Sequence, residues 1–212
     1  AAQGHSNVRV MLACEDYPSL YERQISKVQT EFPAWLGTYH VQRNEYRLDP
    51  AYGGGAIAFR NLDDASKYQS AEYAGIAIDE LTKNTERTFH LLRGSLRWPG
   101  IDDVFFVGAT NPAPGFVRDY WISRSFPPEL EPEAEQFAFV PALPTDNPNL
   151  PQSYWSMLDT LPDVLRKAWK DGDWWVGTEG LVYDTFAADN LTDDEPDKER
   201  PIELAIDDGY VD

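Results

Sequence analysis

The sequence predicts an α/β fold built on a largely parallel sheet, and three observations carry that expectation. Two apolar runs, YAGIAIDEL (73–81) and IDDVFFVGATNP (101–112), each close on polar residues. Between them Leu81, Phe89, Leu92 and Leu96 recur at helical spacing. Strand, helix and strand at this distance make a βαβ unit, whose crossover is right-handed.

The remaining elements follow in chain order. VRVMLA (8–13) is a short apolar run suited to a buried strand. The next segment places Leu20, Ile25 and Val28 on one helical face, and Pro33 ends that helix. YHVQRNEYRL (39–48) and AIAFRNL (56–62) predict two strands of a hairpin around the turn DPAYGGG. The 73–81 strand leads into a helix expected to stop near Pro99 and Gly100, and 101–112 is expected to be a second buried strand. Residues 113–151 are rich in Pro and Phe, with FAFVPAL as the expected strand, and SYWSMLDTLPDVLRKAWKDGDW is helical. Residues 189–201 form an acidic, proline-flanked linker, and IELAID (202–207) starts a new strand. No internal repeat is present.

Composition narrows the function classes. The chain has 212 residues, 42% hydrophobic and 25% charged, with seven Trp, eleven Tyr and ten Phe. So many aromatics suit a packed core and not a disordered chain. No apolar run approaches the ~20 residues of a membrane helix, and the start, AAQGHSNVRVML, has no signal-peptide layout. A single cysteine, Cys14, excludes an internal disulfide and a cysteine zinc site. The reading is a soluble, intracellular protein. The formal net charge of −18 argues against broad, sequence-independent nucleic-acid binding. Residues 189–212 hold ten acidic and two basic residues, so they carry −8 of that charge.

The strongest chemical signal is the adjacent pair Asp79-Glu80 at the end of a buried strand. Nucleotide hydrolysis needs one carboxylate to hold Mg²⁺, largely through water, and a second to position or deprotonate the attacking water. Asp79 suits the first role and Glu80 the second. On spacing alone, capping of the helix near Thr82 explains the pair equally well. At the neighbouring strand end, Thr110 and Asn111 offer a hydroxyl and an amide to a γ-phosphate or its lytic water. An Asn-Pro turn closing the strand is their structural alternative. Gly53, Gly54 and Gly55 lack the Lys-Ser/Thr of a phosphate-binding loop and read as a turn. His5, His40 and His90 have no metal-ligand spacing. Trp169, Trp174 and Trp175 read as core packing in preference to base stacking.

The order of motifs resembles the large terminase family of tailed bacteriophages. The resemblance rests on FRNLDDASKYQSAEYAGIAIDEL, LLRGSLR, GATNP, PTDNPNLPQSYWSMLDTLP and KDGDWWVGTEGLVYDTF, and spans nearly the whole chain. It implies a P-loop NTPase core of the RecA-like type in residues 1–125, a lid or linker subdomain in 126–188, the acidic linker 189–201, and the first strand of an RNase-H-like nuclease in 202–212. It implies Mg²⁺ coordination by Asp79, catalysis by Glu80, and a coupling motif at Thr110 and Asn111. In the AIDDGYVD strand, Asp207 would be a nuclease metal ligand and Asp208 a weaker one; a two-metal site needs further carboxylates. The implied cofactors are ATP and Mg²⁺. The implied partners are double-stranded DNA, a portal protein, a small terminase subunit and other copies in a ring on the portal, in host-cell cytoplasm and transiently on the procapsid. The family's phosphate-binding loop should precede Val8 and is absent from the sequence, so the expectation is a truncated, inactive motor fragment. Several relatives carry Arg-Gly about eleven residues before the catalytic Glu. Gln69 and Ser70 stand there instead, leaving Lys67 or Arg60 as substitutes. The competing readings are a helicase-like motor, disfavoured by the lack of downstream Arg-rich signatures, and a non-catalytic ATPase-derived module that binds the portal or small subunit.

Overall fold

The computed structural model describes residues 6–176, all within one compact unit. The acidic stretch 189–201, residues 202–212 where the sequence predicts a strand with Asp207 and Asp208, the end of the 126–188 region, and His5 lie outside the described residues. Four strands run parallel: β1 (Arg9–Cys14), β4 (Ala56–Asn61), β5 (Gly75–Asp79) and β6 (Phe105–Ala109). β2 (Gly37–His40) and β3 (Glu45–Leu48) extend them antiparallel, giving the order β2-β3-β4-β1-β5-β6.

Successive residues of a strand point to opposite faces, and here both faces of β1 are used. Met11 and Ala13 join Ala58, Ile76, Ile78 and Leu81 in one core, which is closed by Leu92 from helix α3 (Glu86–Arg93). Cys14 and Leu12 join Phe59 and Tyr46 in the other, closed by Leu20, Ile25 and Val28. Those three residues come from one continuous helical segment. It runs from α1 (Tyr17–Leu20), through a π-helical turn at Tyr21–Ile25, into α2 (Ser26–Glu31). Asp16 starts it, its carboxylate accepting the Ser19 N–H at 2.7 Å, as helix N-caps do.

The 126–176 region packs on this core. Leu130 and Phe137 close a third cluster with Phe89 and Tyr120, and Trp174 is buried with the α3-side core. α4 (Gln152–Asp159) and α5 (Asp163–Asp171) supply the predicted helical stretch, broken before Pro162 and stopped by left-handed Gly172.

Four local expectations are corrected. Residues 39–48 are not one strand. Val41–Arg43 form a 3₁₀ turn closed by left-handed Asn44, so β2 and β3 make a hairpin of their own. Helix α3 stops at Gly94, not Gly100; Leu96 leaves the helix to bridge Tyr73. Among the described residues the 101–112 strand has a neighbour on one side only and is not buried: Phe105 is 51% and Val107 53% exposed. An apolar run reports what a strand can bury, not which neighbours it finds. FAFVPAL forms no strand. Only Phe137 is buried, and Val140 is 82% exposed, with Pro141 and Pro144 removing backbone donors.

Candidate functional site

The topology defines a crevice before any side chain is considered. The chain leaves β1 through the α1–α2 segment toward the β2–β4 side, and it leaves β5 toward β6. Strands β1 and β5 are neighbours with connections departing in opposite directions. Ligands of open α/β sheets bind beyond the carboxyl ends of strands at such a reversal. Asp79 ends β5, and Glu15 follows the last residue of β1.

Asp79 shares the face of Gly75 and Ala77, and Ala77 is in register with Leu12. That is the face covered by the α1–α2 segment. Its carboxylate accepts hydrogen bonds from Arg23 Nη1 at 3.4 Å and Gln24 Nε2 at 3.2 Å, two consecutive residues of the π turn. Arg23 also holds Glu15, with Nη2 at 2.6 Å from Oε1, and Lys83 Nζ reaches the same oxygen at 3.1 Å. Burial pushes the Glu15 carboxyl up. Hydrogen bonds from its own backbone, Arg23 and Lys83 outweigh this and bring it down to about 2. The Cys14 thiol beside them is pushed up to about 12 by burial and by the Asp79 charge. It is an inert, buried group, as an apolar role requires.

Glu80 adopts φ 53, ψ 55, a left-handed conformation uncommon for any residue but Gly. The kink ends the strand and lets Leu81 return to the core, where it is 2% exposed. Capping does not explain the acidic pair. Glu80 makes no side-chain cap bond to the 3₁₀ turn Leu81–Lys83, and α3 is capped by Thr85. Among the described residues the Glu80 carboxylate has no hydrogen-bonding partner.

Asp79 is in register with Ala109, so Thr110 follows at the end of the adjacent strand, within the ~5 Å strand spacing. The Thr110 hydroxyl bonds the Thr82 hydroxyl and accepts the Thr82 N–H at 3.3 Å. It therefore ties the end of β6 to the turn after Glu80. Asp79, Glu80 and Thr110 thus reach one rim of the sheet. The pleat nevertheless splits them, because Thr110 has the parity of Phe106 and Gly108, on the α3 side, opposite Asp79. Asn111 is exposed beyond the strand. Asp207 lies outside the described residues.

Sequence reasoning missed Glu15, Arg23, Gln24 and Lys83. Arg23 and Asp79 are 56 positions apart, and only the β1–β5 pairing brings them together. The two cations named as substitutes are engaged elsewhere. Arg60 donates to the carbonyls of Phe59 at 2.7 Å and of Arg43 and Asn44 at 3.1 Å, and pairs with buried Glu45. Lys67 pairs with Asp64. Gly53 and Gly54 have positive φ and connect β3 to β4, at the amino end of the parallel strands, so they cradle nothing at the crevice. A cavity of about 320 Å³ lined by Asn7, His40, Arg47 and Gly54 sits at that far end too.

Carboxylate and hydroxyl oxygens at the rim are hard donors. Among the described residues no group of three or more His, Cys, Asp or Glu side chains is placed to hold a metal. Such a rim fits Mg²⁺, which keeps several waters and is shared with phosphate, and does not fit an all-protein cage.

A largely parallel sheet with helices packed on it, and acids at a strand end beside the reversal, defines the chain as an open α/β core. Across 89% of its length it has the fold of a bacteriophage large terminase. The large terminase of a thermophilic bacteriophage superposes with a TM-score of 0.67 at 18% identity. The ADP complex of that phage protein gives 0.65 at 18%, and its ATP-γ-S complex 0.63 at 17%. The chain spans 45–46% of the length of these proteins. No protein-family model and no curated protein sequence matches it. No described helix is long and apolar enough to cross a membrane.

Proposed function

We propose that this chain is part of a large terminase, an ATP-driven motor that moves double-stranded DNA into a viral procapsid and cuts the genome with a nuclease in the same protein. The observation that carries this reading is the rim where Asp79, Glu80 and the Thr82–Thr110 tie meet, on a chain with the large terminase fold. The thermophilic phage protein is described with ADP and with ATP-γ-S, which supports nucleotide binding by the protein that carries this chain.

The residues divide the work. Asp79 would hold Mg²⁺ partly through water, and the ion, when bound, supplies charge neutralisation to the phosphate oxygens. The Glu80 carboxylate, without a protein partner among the described residues, orients the attacking water and accepts its proton. Thr110, fastened to Thr82, carries a change at the strand ends into the turn behind Glu80. Phosphate binding itself requires a Gly-rich Lys-Ser/Thr loop, which these residues do not supply. In the assembled motor the partners are DNA, a portal protein, a small terminase subunit and further copies in a ring, in the host cytoplasm.

The test is Glu80→Gln in the protein that carries this chain together with such a loop. ATP binding by equilibrium dialysis is expected to persist, while turnover falls about 10²- to 10⁴-fold, the usual worth of a positioned acid or base. Undiminished turnover would remove Glu80 from the reaction and the motor reading with it.

A further inference from the structure

Arg23 lies at the carboxyl ends of β1 and β5. Its guanidinium spans Glu15 and Asp79, the two carboxylates at the ends of adjacent strands β1 and β5. The contacts are unequal: Nη2 lies 2.6 Å from Glu15 Oε1, while Nη1 is shared at 3.4 Å between Glu15 Oε2 and Asp79. Charge-assisted N–H···O bonds of ordinary strength are ~2.7–2.9 Å long, so the Asp79 contact is the weaker one and opens first. Glu15 is also the better anchor, since Lys83 shares it and it is the less exposed carboxylate, at 17% against 25%.

A second observation concerns the backbone. Arg23 and Gln24 lie inside a π-helical turn between two α-helical pieces. Isolated π turns in α-helices cluster at functional sites. Here the widened turn directs two consecutive side chains at one carboxylate, whereas neighbours in an α-helix diverge by about 100°.

We propose that Arg23 is a positioning residue that stands in for the divalent cation at Asp79, and that an arriving cation displaces Nη1 while Nη2 stays on Glu15. The displaced Nη1 then faces the crevice with a donor to offer an anionic ligand. The proposal rests on the reading of Asp79 as the metal carboxylate. It adds a competitor within the same chain: the metal site is closed by an internal cation until the metal arrives.

Binding of Mn²⁺ alone to the 212-residue chain tests this, with free Mn²⁺ counted by electron paramagnetic resonance. Arg23→Gln removes the competitor and is expected to tighten Mn²⁺ binding about two- to fivefold, the scale of a partly exposed ion pair. Arg23→Lys, which keeps a positive charge, should stay near the parent value. Lys83→Gln removes the same charge next to Glu15 without touching Asp79, and should shift binding less than Arg23→Gln does. Asp79→Asn should weaken Mn²⁺ binding more than any of these changes it. Should Arg23→Gln unfold the chain by circular dichroism, Arg23→Met keeps the apolar stem and takes its place. Equal or weaker Mn²⁺ binding without Arg23, with Asp79→Asn still binding weakly, overturns the proposal and leaves the metal carboxylate standing. Unchanged binding in Asp79→Asn removes the metal carboxylate, and the proposal goes with it.

Discussion

A methyl group added at Gly108 should loosen both the core and the crevice. Gly108 lies in β6 against the first residue after Glu80. A Cβ there would stand 2.5 Å from Leu81 Cδ2 and 3.2 Å from Leu81 Cβ. Carbon atoms in contact prefer ~3.5–4.0 Å, so Leu81 must give way by about 1 Å. It has little room, being 2% exposed and packed with Ile76, Ile78 and Leu92. Overpacking a filled core in this way costs about 1–3 kcal/mol. For a chain of this length that lowers the melting temperature by about 2–4 °C per kcal/mol. The strain falls between Glu80 and Thr82, whose N–H bonds Thr110. Thermal unfolding followed by circular dichroism measures the first effect, and Mn²⁺ titration of the same variant measures the second. Gly94→Ala is the control: Gly94 has right-handed helical geometry, and its nearest neighbour to a Cβ is a carbonyl oxygen at 3.3 Å. If Gly108→Ala melts with the parent and binds Mn²⁺ equally well, Leu81 is not the wedge that couples the core to the rim.

Two further outcomes are expected. At Glu80, Gly should be more stable than Ala by about 0.5–1 kcal/mol in urea unfolding, because only Gly takes the left-handed conformation without a steric cost; a more stable Ala variant would mean that the kink is not fixed. Glu15→Gln should remove a pH-dependent part of the stability. The folded carboxyl titrates at about 2 against an ordinary 4.5, so its contribution is fully present above the ordinary value and is lost as pH falls toward 2. The charges around it are Arg23, Lys83, Asp16 and Asp79. The gap between parent and variant is about 1–2 kcal/mol near pH 7 once solvent screening is allowed for, and it should close only as pH falls through about 2. A gap that is constant with pH would show that Glu15 acts by packing alone.

The parts of the fold legible in the sequence are those written in local periodicity. Leu20, Ile25 and Val28 bury themselves at helical spacing, and the run through Gly75–Asp79 ends where its polar residues begin. What stayed hidden depends on pairing. β6 reads as buried because Phe105, Phe106 and Val107 are apolar, yet among the described residues it has a neighbour on one side only and two of them are exposed. The acidic pair at 79–80 was visible, since both residues sit at one strand end. Arg23 was not, because its partnership with Asp79 requires β1 to lie beside β5 and a π turn to reset the helix. The left-handed conformation of Glu80 leaves no mark in composition, because Glu is no turn-former. The hairpin from 37 to 48 was missed for a related reason: its turn is signalled only by Asn44.

The exposed rim of β6 has one geometric consequence. Its outer backbone amides and carbonyls are unpaired among the described residues, Phe105 and Val107 stand uncovered, and FFVGA contains no Lys or Pro to repel a neighbour. An extended segment that zips onto this margin in the direction of β6 would end level with Thr110. Whatever followed that segment would emerge beside Thr110, on the side away from β5. The open margin is thus a ruler that sets how far an added seventh strand can carry a loop toward the carboxyl-end rim.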